Sequence, residues 1–206
     1  MARELTLVDA GLGNLANVHR AIAQVGAAVQ VTHDPDKVAA SRAIVFPGYG
    51  AFGADTDRVV NGAMGEALKM VIQRGDPFLG ISLGMQLLFD SSEAAEGAEG
   101  LHVLPGKVRR FPDGMSITEG SHERPLKVPH AGWSDVQPTG DHYYFSHGDY
   151  VEAELPTDVL WSCSYGSVTF AAAVRRDNVY GCQFHPEKSQ ETGLRFLRAF
   201  LLGSRS

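Results

Sequence analysis

The 206-residue chain is poor in several things, and each shortage excludes a class of protein. It has only two cysteines, Cys163 and Cys182, too few for the disulfide framework of a small secreted domain. A reducing, cytoplasmic setting is therefore expected. No apolar run comes near the ~20 residues that cross a bilayer as a helix, and the opening residues lack the apolar stretch of a secretory signal. Basic residues are outnumbered, 18 Lys and Arg against 24 Asp and Glu, giving a net charge of -6. That sign argues against nucleic acid as the main ligand, and the local basic patch at 107–110 does not reverse it. Eight histidines are present, but His122, His130, His142 and His147 share neither helical ligand spacing nor cysteine partners. Most of them read as turn or surface residues, and no metal is expected.

A dinucleotide fingerprint is also incomplete. Gly11 and Gly13 start one, but Ala16 stands at its third glycine, and Gln30 and Val31 replace the acidic residue a ribose needs. No cofactor is expected.

What the chain does have is a sizeable apolar inventory: 44% hydrophobic residues, including ten Phe, six Tyr and two Trp. The length predicts one domain spanning 1–206. Its 23 glycines exceed the usual ~7% without any collagen period, so they point to tight turns and close backbone approaches.

The first half alternates strand and helix patterns. Strands are predicted at 5–8, 28–32, 43–46 and 78–81, with helices at 15–25, after Asp34-Pro35, from 53 to about 73, and at 82–89. This spacing predicts an α/β fold: an open, mostly parallel sheet flanked by helices on both faces. Between 101 and 183 short β runs at 107–111, 142–145 and 168–174 are broken by Pro and Gly, which predicts an antiparallel β-rich portion in the second half. A last strand is expected at 179–184 and an amphipathic helix at 191–202; 91–100 reads as a mobile loop and 203–206 as a frayed end.

Chemistry concentrates at three places. Gly80-Ile81-Ser82-Leu83-Gly84 fits the G-x-S-x-G nucleophile elbow, with a strand before it and a helix after. A serine on such a turn projects clear of the backbone, and the following helix offers free N–H groups to a developing anion. The blander alternative is a serine that merely caps a helix between two packing glycines. The second place is His185-Pro186-Glu187, where a carboxyl two residues on along extended backbone could orient an imidazole. A surface His-Pro-Glu turn is its alternative. The third is the glycine-rich loop 47–53, whose backbone could present an N–H to an oxyanion at the carboxyl edge of the sheet. The order nucleophile, then His-x-Glu, differs from the Ser, Asp/Glu, His order of α/β-hydrolases.

Together these segments resemble the class I, triad-type glutamine amidotransferases, and within them the glutaminase subunits of imidazole glycerol phosphate synthase. The likeness is carried by residues 11–15, 46–53, 80–89, 127–133, 144–147 and 183–189, in the family's order along nearly the whole chain. It implies release of ammonia from the side-chain amide of L-glutamine, and a partner cyclase/synthase subunit built as a (βα)8 barrel. By position it implies Ser82 as nucleophile, His185 as base and then acid, and Glu187 as the group orienting it. Leu83, Tyr49 and Gly50 match the oxyanion donors. Gln86, Gly50, Glu93, Gly148 and Asp149 match glutamine contacts, although Gly148-Asp149 departs from the family's usual pair. Asn14, Tyr144 and Lys188 match positions facing the partner.

One departure outweighs the rest. The family carries cysteine where this chain has Ser82. A thiol of pKa ≈ 8.5 is readily ionised by a neighbouring imidazole, whereas a hydroxyl requires base-assisted attack. The expectation is a chain that binds glutamine and hydrolyses it poorly, whether the serine is natural or an engineered replacement. A serine hydrolase using Ser82, or a non-catalytic partner-binding subunit, are the competing readings.

Overall fold

Short strands with every residue or every second residue apolar alternate with helices, as a computed structural model describing residues 4–13, 15–119 and 122–203 shows. The first half runs β1 (Glu4–Val8), α1 (Leu15–Gln24), β2 (Ala28–Thr32), α2 (Pro35–Ala40), β3 (Ile44–Gly48), α3 (Ala54–Val60), α4 (Ala63–Gln73), β4 (Phe78–Ser82) and α5 (Leu83–Gln86). The second half is β-rich: β5 (Ser91–Ser92), β6 (Gly106–Arg110), β7 (Ser116–Glu119), β8 (His122–Pro125), β9 (His130–Asp135), β10 (His142–His147) and β11 (Asp149–Ala153). It closes with β12 (Val159–Tyr165), β13 (Val168–Arg176), β14 (Val179–Cys182) and α6 (Gln190–Leu202).

The main sheet has seven strands in the order β12-β13-β14-β4-β3-β1-β2. β2, β1, β3, β4 and β14 are mutually parallel, and β13 and β12 add an antiparallel edge. The antiparallel pairs β9–β10 and β7–β8, and the small sheet β11-β6-β5, lie outside it. The expected mostly parallel sheet with a later antiparallel portion is therefore present. Among the described residues no helix is long and apolar enough to cross a membrane.

Alternation along the strands divides the core. Ile44, Phe46 and Phe78 point to one side, against Val38 of α2, Val59 and Val60 of α3, and Leu68 and Val71 of α4. Val45, Leu79 and Ile81 point to the other, against Val18 and Ile22 of α1 and Phe196 and Phe200 of α6. Phe46, Phe78 and Phe184 are fully buried, each contributing roughly 1.5–3 kcal/mol relative to exposure.

Three local expectations are corrected. The helix foreseen over 53–73 is two, because the chain turns at Asn61-Gly62, so close to α3 that a Cβ on Gly62 would lie 2.5 Å from the Arg58 carbonyl. The helix foreseen over 82–89 stops after Gln86. There the Leu87 and Leu88 carbonyls are taken by the N–H groups of Leu101, Val103 and Leu104 rather than by a further helical turn. The segment 91–100, read as mobile, is tied down: Glu93 N–H bonds the Val108 carbonyl at 2.9 Å, Ser92 N–H bonds that of Ala98 at 3.3 Å, and Ala98 is buried. Of the end read as frayed, residues 204–206 fall outside the described residues.

What places a side chain at the carboxyl edge of β4 is glycine. A Cβ on Gly84 would lie 1.9 Å from the Phe46 carbonyl oxygen, and one on Gly80 would lie 2.5 Å from the Gly84 oxygen. Only bare backbone lets α5 cross β3 and β4 this closely, which is the packing the two flanking glycines of the elbow suggest.

Candidate active site

β3, β4 and β14 end side by side. The register pairs Gly48 with Ser82 and Cys182 with Ile81, so the chain leaving β14 runs past the end of β4. Ser82 itself has φ 55 and ψ -112, a left-handed strain rare outside glycine that costs on the order of 1–3 kcal/mol. Strand before, helix after and strained buried serine between make this a true elbow rather than a capping serine. Its side chain accepts a long 3.5 Å hydrogen bond from Gln183 Nε2.

Two residues beyond Gln183, His185 Nδ1 meets Glu187 Oε1 at 2.8 Å, with both side chains almost wholly buried. The route differs from the extended geometry expected: Pro186, with φ preset by its ring, opens a 3₁₀ turn over Pro186–Lys188 that swings Glu187 back to the imidazole. A carboxyl oxygen accepts here, so the proton sits on Nδ1 and Nε2 is left as the basic nitrogen. His185 Nε2 and Glu187 Oε2 are buried and have no hydrogen-bond partner. His185 thus stands oriented but not yet hydrogen-bonded to Ser82. His185, Glu187, Gly48, Tyr49 and Ile81 share the wall of one cavity of about 260 Å³ with α1 residues Asn17 and Val18.

The glycine loop is only half arranged for an oxyanion. Tyr49 N–H donates to the Leu12 carbonyl at 2.6 Å, so this expected donor is occupied in the present conformation. Gly50 has φ 107, the left-handed backbone that lets a peptide plane turn over at low cost. Leu83 supplies the first N–H of α5, which has no acceptor within its own helix.

Gln86 is buried one helical turn beyond the elbow. Its Nε2 donates to the Asp149 carbonyl and to Gln183 Oε1, both at 2.9 Å, which leaves Oε1 buried without a partner. Gly148 forms the bend between β10 and β11, and Asp149 opens β11, where its carbonyl meets Gln86 Nε2. Burial is the main influence raising the Asp149 carboxyl above its ordinary range; Arg110 opposes it and Glu93 adds to it. Glu93 is less available than the sequence suggests. It is ion-paired with Arg109, whose hydrogen bond is the main reason its carboxyl is held below the ordinary range.

At the pocket mouth, Lys188 Nζ lies 5.6 Å from the Tyr49 ring centre and 5.5 Å from that of Tyr144. Tyr144 also packs edge-on to Trp133, their centres 6.0 Å apart. Tyr49 and Trp133 are exposed, so a cationic and aromatic surface surrounds the site. Asn14, expected in the same surface, lies outside the described residues.

Sequence reasoning missed three side chains here. Gln183 had been only part of a matching segment, and a period-2 reading of 179–184 does not reveal that its side chain would bridge Gln86 and Ser82. His130 and His147, two of four histidines most of which read as surface or turn residues, are buried and bonded to each other at 3.1 Å. No spacing in the sequence joins them before β9 and β10 pair.

The family model for "Glutamine amidotransferase class-I" matches residues 6–203. The chain is 42% identical to the "Imidazole glycerol phosphate synthase subunit HisH" of Salinibacter ruber, over 95% of this chain and 92% of that protein. It is equally 42% identical to the protein of the same name from Syntrophotalea carbinolica, over 95% and 98% of the two chains. Among solved structures, PurLQS from Thermotoga maritima superimposes with a TM-score of 0.69 at 17% identity over the whole of both chains, a likeness of fold.

Proposed function

This chain belongs to the class-I glutamine amidotransferase family, and from that membership we propose that it is the glutaminase subunit of imidazole glycerol phosphate synthase. It takes ammonia from the glutamine side chain and delivers it to a cyclase partner, a (βα)8 barrel, in histidine biosynthesis. The observation carrying this reading is the oriented His185–Glu187 pair at the same sheet edge as the strained Ser82.

The steps follow from the groups present. The residue-82 nucleophile attacks the carboxamide carbon while His185 Nε2 takes its proton. Negative charge gathers on the carbonyl oxygen, facing the N–H groups of Leu83 and, after the loop turns over, of the Tyr49-Gly50 segment. His185 then returns the proton to the leaving nitrogen, ammonia departs, and water cleaves the acyl intermediate by the same route reversed. The residues at the mouth, exposed Tyr49, Trp133 and Lys188 with half-buried Tyr144, form the surface we assign to the barrel partner. Uncharged ammonia is a minor species in neutral water, so a covered path between the two sites preserves the nucleophile. The cytoplasm is the compartment we assign, in keeping with two unpaired buried thiols, Cys163 and Cys182.

The Tyr49 N–H bond to Leu12 gives this proposal its test. Docking of a partner on Tyr49 and Lys188 must break that bond to complete the oxyanion site, and one such donor is worth about 10²–10³ in rate. In the Ser82→Cys chain, ammonia release from glutamine is expected to rise by at least about a hundredfold when the barrel subunit is added. Equal rates with and without it would remove partner control.

A further inference from the structure

The two histidines that the mechanism leaves unused form a hydrogen-bonded line whose direction, for neutral rings, is fixed at its Asp149 end. His147 Nδ1 lies 2.8 Å from the Asp149 carbonyl oxygen, which can only accept, so the ring carries its proton on Nδ1. Its Nε2 is then an acceptor, and the nitrogen facing it at 3.1 Å, His130 Nδ1, must donate. His130 Nε2 accepts in turn from the Ser134 hydroxyl at 2.9 Å. Packing supports the order: His130 is stacked between Phe145 and Tyr165, with ring centres 4.9 and 4.1 Å away, and Phe111 and Phe170 pack against His147. Burial holds both rings well below the ordinary histidine range, His130 to about 4 and His147 to about 3, so each stays neutral near pH 7.

The far end of the line is Gln86, buried one helical turn beyond Ser82. The Asp149 carbonyl accepts from His147 on one side and from Gln86 Nε2 on the other, using both lone pairs. With Nε2 of Gln86 held by Asp149 and Gln183, the carboxamide cannot flip, and its buried Oε1 stays the acceptor left without a partner. We propose that His130 and His147 are positioning residues, each carrying its proton on Nδ1, that lock the Asp149 carbonyl and the Gln86 carboxamide and so set the affinity for substrate. The inference rests on the site binding glutamine, as proposed above. It adds that residues on β9 and β10, remote from the reacting atoms, control how well it does so.

The test has two arms. Nitrogen-15 NMR of the imidazole rings in the unaltered chain is expected to show both rings neutral and protonated on Nδ1; a proton on Nε2 of either ring overturns the relay. Calorimetry of glutamine binding to the unaltered Ser82 chain in complex with the barrel subunit supplies the second arm. His147→Phe, which keeps the aromatic packing but donates nothing, is expected to weaken binding about tenfold. His147→Asn, whose Nδ2 can take the place of Nδ1–H, is expected to recover most of that loss. Equal affinities for the unaltered chain and the Phe variant, or equal losses for Phe and Asn, overturn the positioning role. Absence of glutamine binding by the unaltered chain overturns the functional reading and the affinity claim with it, while the ring protons still decide the relay.

Discussion

Replacing Ser82 by Cys is expected to raise glutamine hydrolysis in the partner-bound enzyme by at least about a hundredfold. The site around residue 82 offers one base, His185 Nε2, which makes no hydrogen bond in this structure. A thiol with a free pKa near 8.5 gives up its proton to that base before attack, whereas a hydroxyl must lose it during attack. Size works in the same direction. Sulfur reaches further from Cβ than oxygen, and a reacting atom misplaced by about 1 Å costs roughly a hundredfold. The serine form, in contrast, retains the groups proposed to bind glutamine: the elbow, Gln86, Gly148 with Asp149, and the loop at Gly50. Glutamine affinity is therefore expected to change little between the two chains, and steady-state ammonia release beside calorimetry separates the two quantities. Equal turnover by both would show that serine is a competent nucleophile here and would favour a serine hydrolase.

The second large effect is expected at Glu187. In the Ser82→Cys background, Glu187→Gln is expected to lower kcat by roughly 10³–10⁴ while changing glutamine affinity little. The reason lies in the 2.8 Å contact between Glu187 Oε1 and His185 Nδ1. A carboxyl oxygen there accepts and pins the proton on Nδ1. An amide can turn its NH₂ group toward the ring, which places the proton on Nε2 and converts the base into a donor facing the nucleophile. Burial of both side chains excludes water from taking over the role. A Glu187→Gln enzyme that keeps its kcat would show that the pair is structural.

Much of this was legible in the sequence because it depends on local chemistry. Apolar runs separated by glycine and proline placed β1 to β4 within a residue or two, and Asp34-Pro35 marked the start of α2, where the Asp34 carboxylate accepts from Asp36 N–H. The elbow could be read because Gly80 and Gly84 are required by backbone contact on either side of Ser82. What could not be read depends on distant partners. The end of α5 is set by N–H groups from residues 101–104, and no propensity at 87–89 reports them. The 3₁₀ turn at Glu187 reaches the same contact as an extended strand would, so the pair was found by a mistaken route. Tyr49 was chosen as a donor from its loop, but its N–H is bound to Leu12, thirty-seven positions earlier in the chain. The buried histidine pair was overlooked because one ring on each of two strands shows no spacing signal until β9 and β10 are paired, with His130 opposite His147.

The most direct measurement is a crystal structure of the Ser82 chain with its barrel partner and L-glutamine. The account predicts an unhydrolysed amino acid whose carboxamide carbon lies about 3–3.5 Å from Ser82 Oγ, a distance suited to attack. Its oxygen should face the Leu83 N–H, and the Tyr49 N–H should have left the Leu12 carbonyl. Glutamine bound away from residue 82, or His185 turned out of reach of the Ser82 oxygen in that complex, would contradict it.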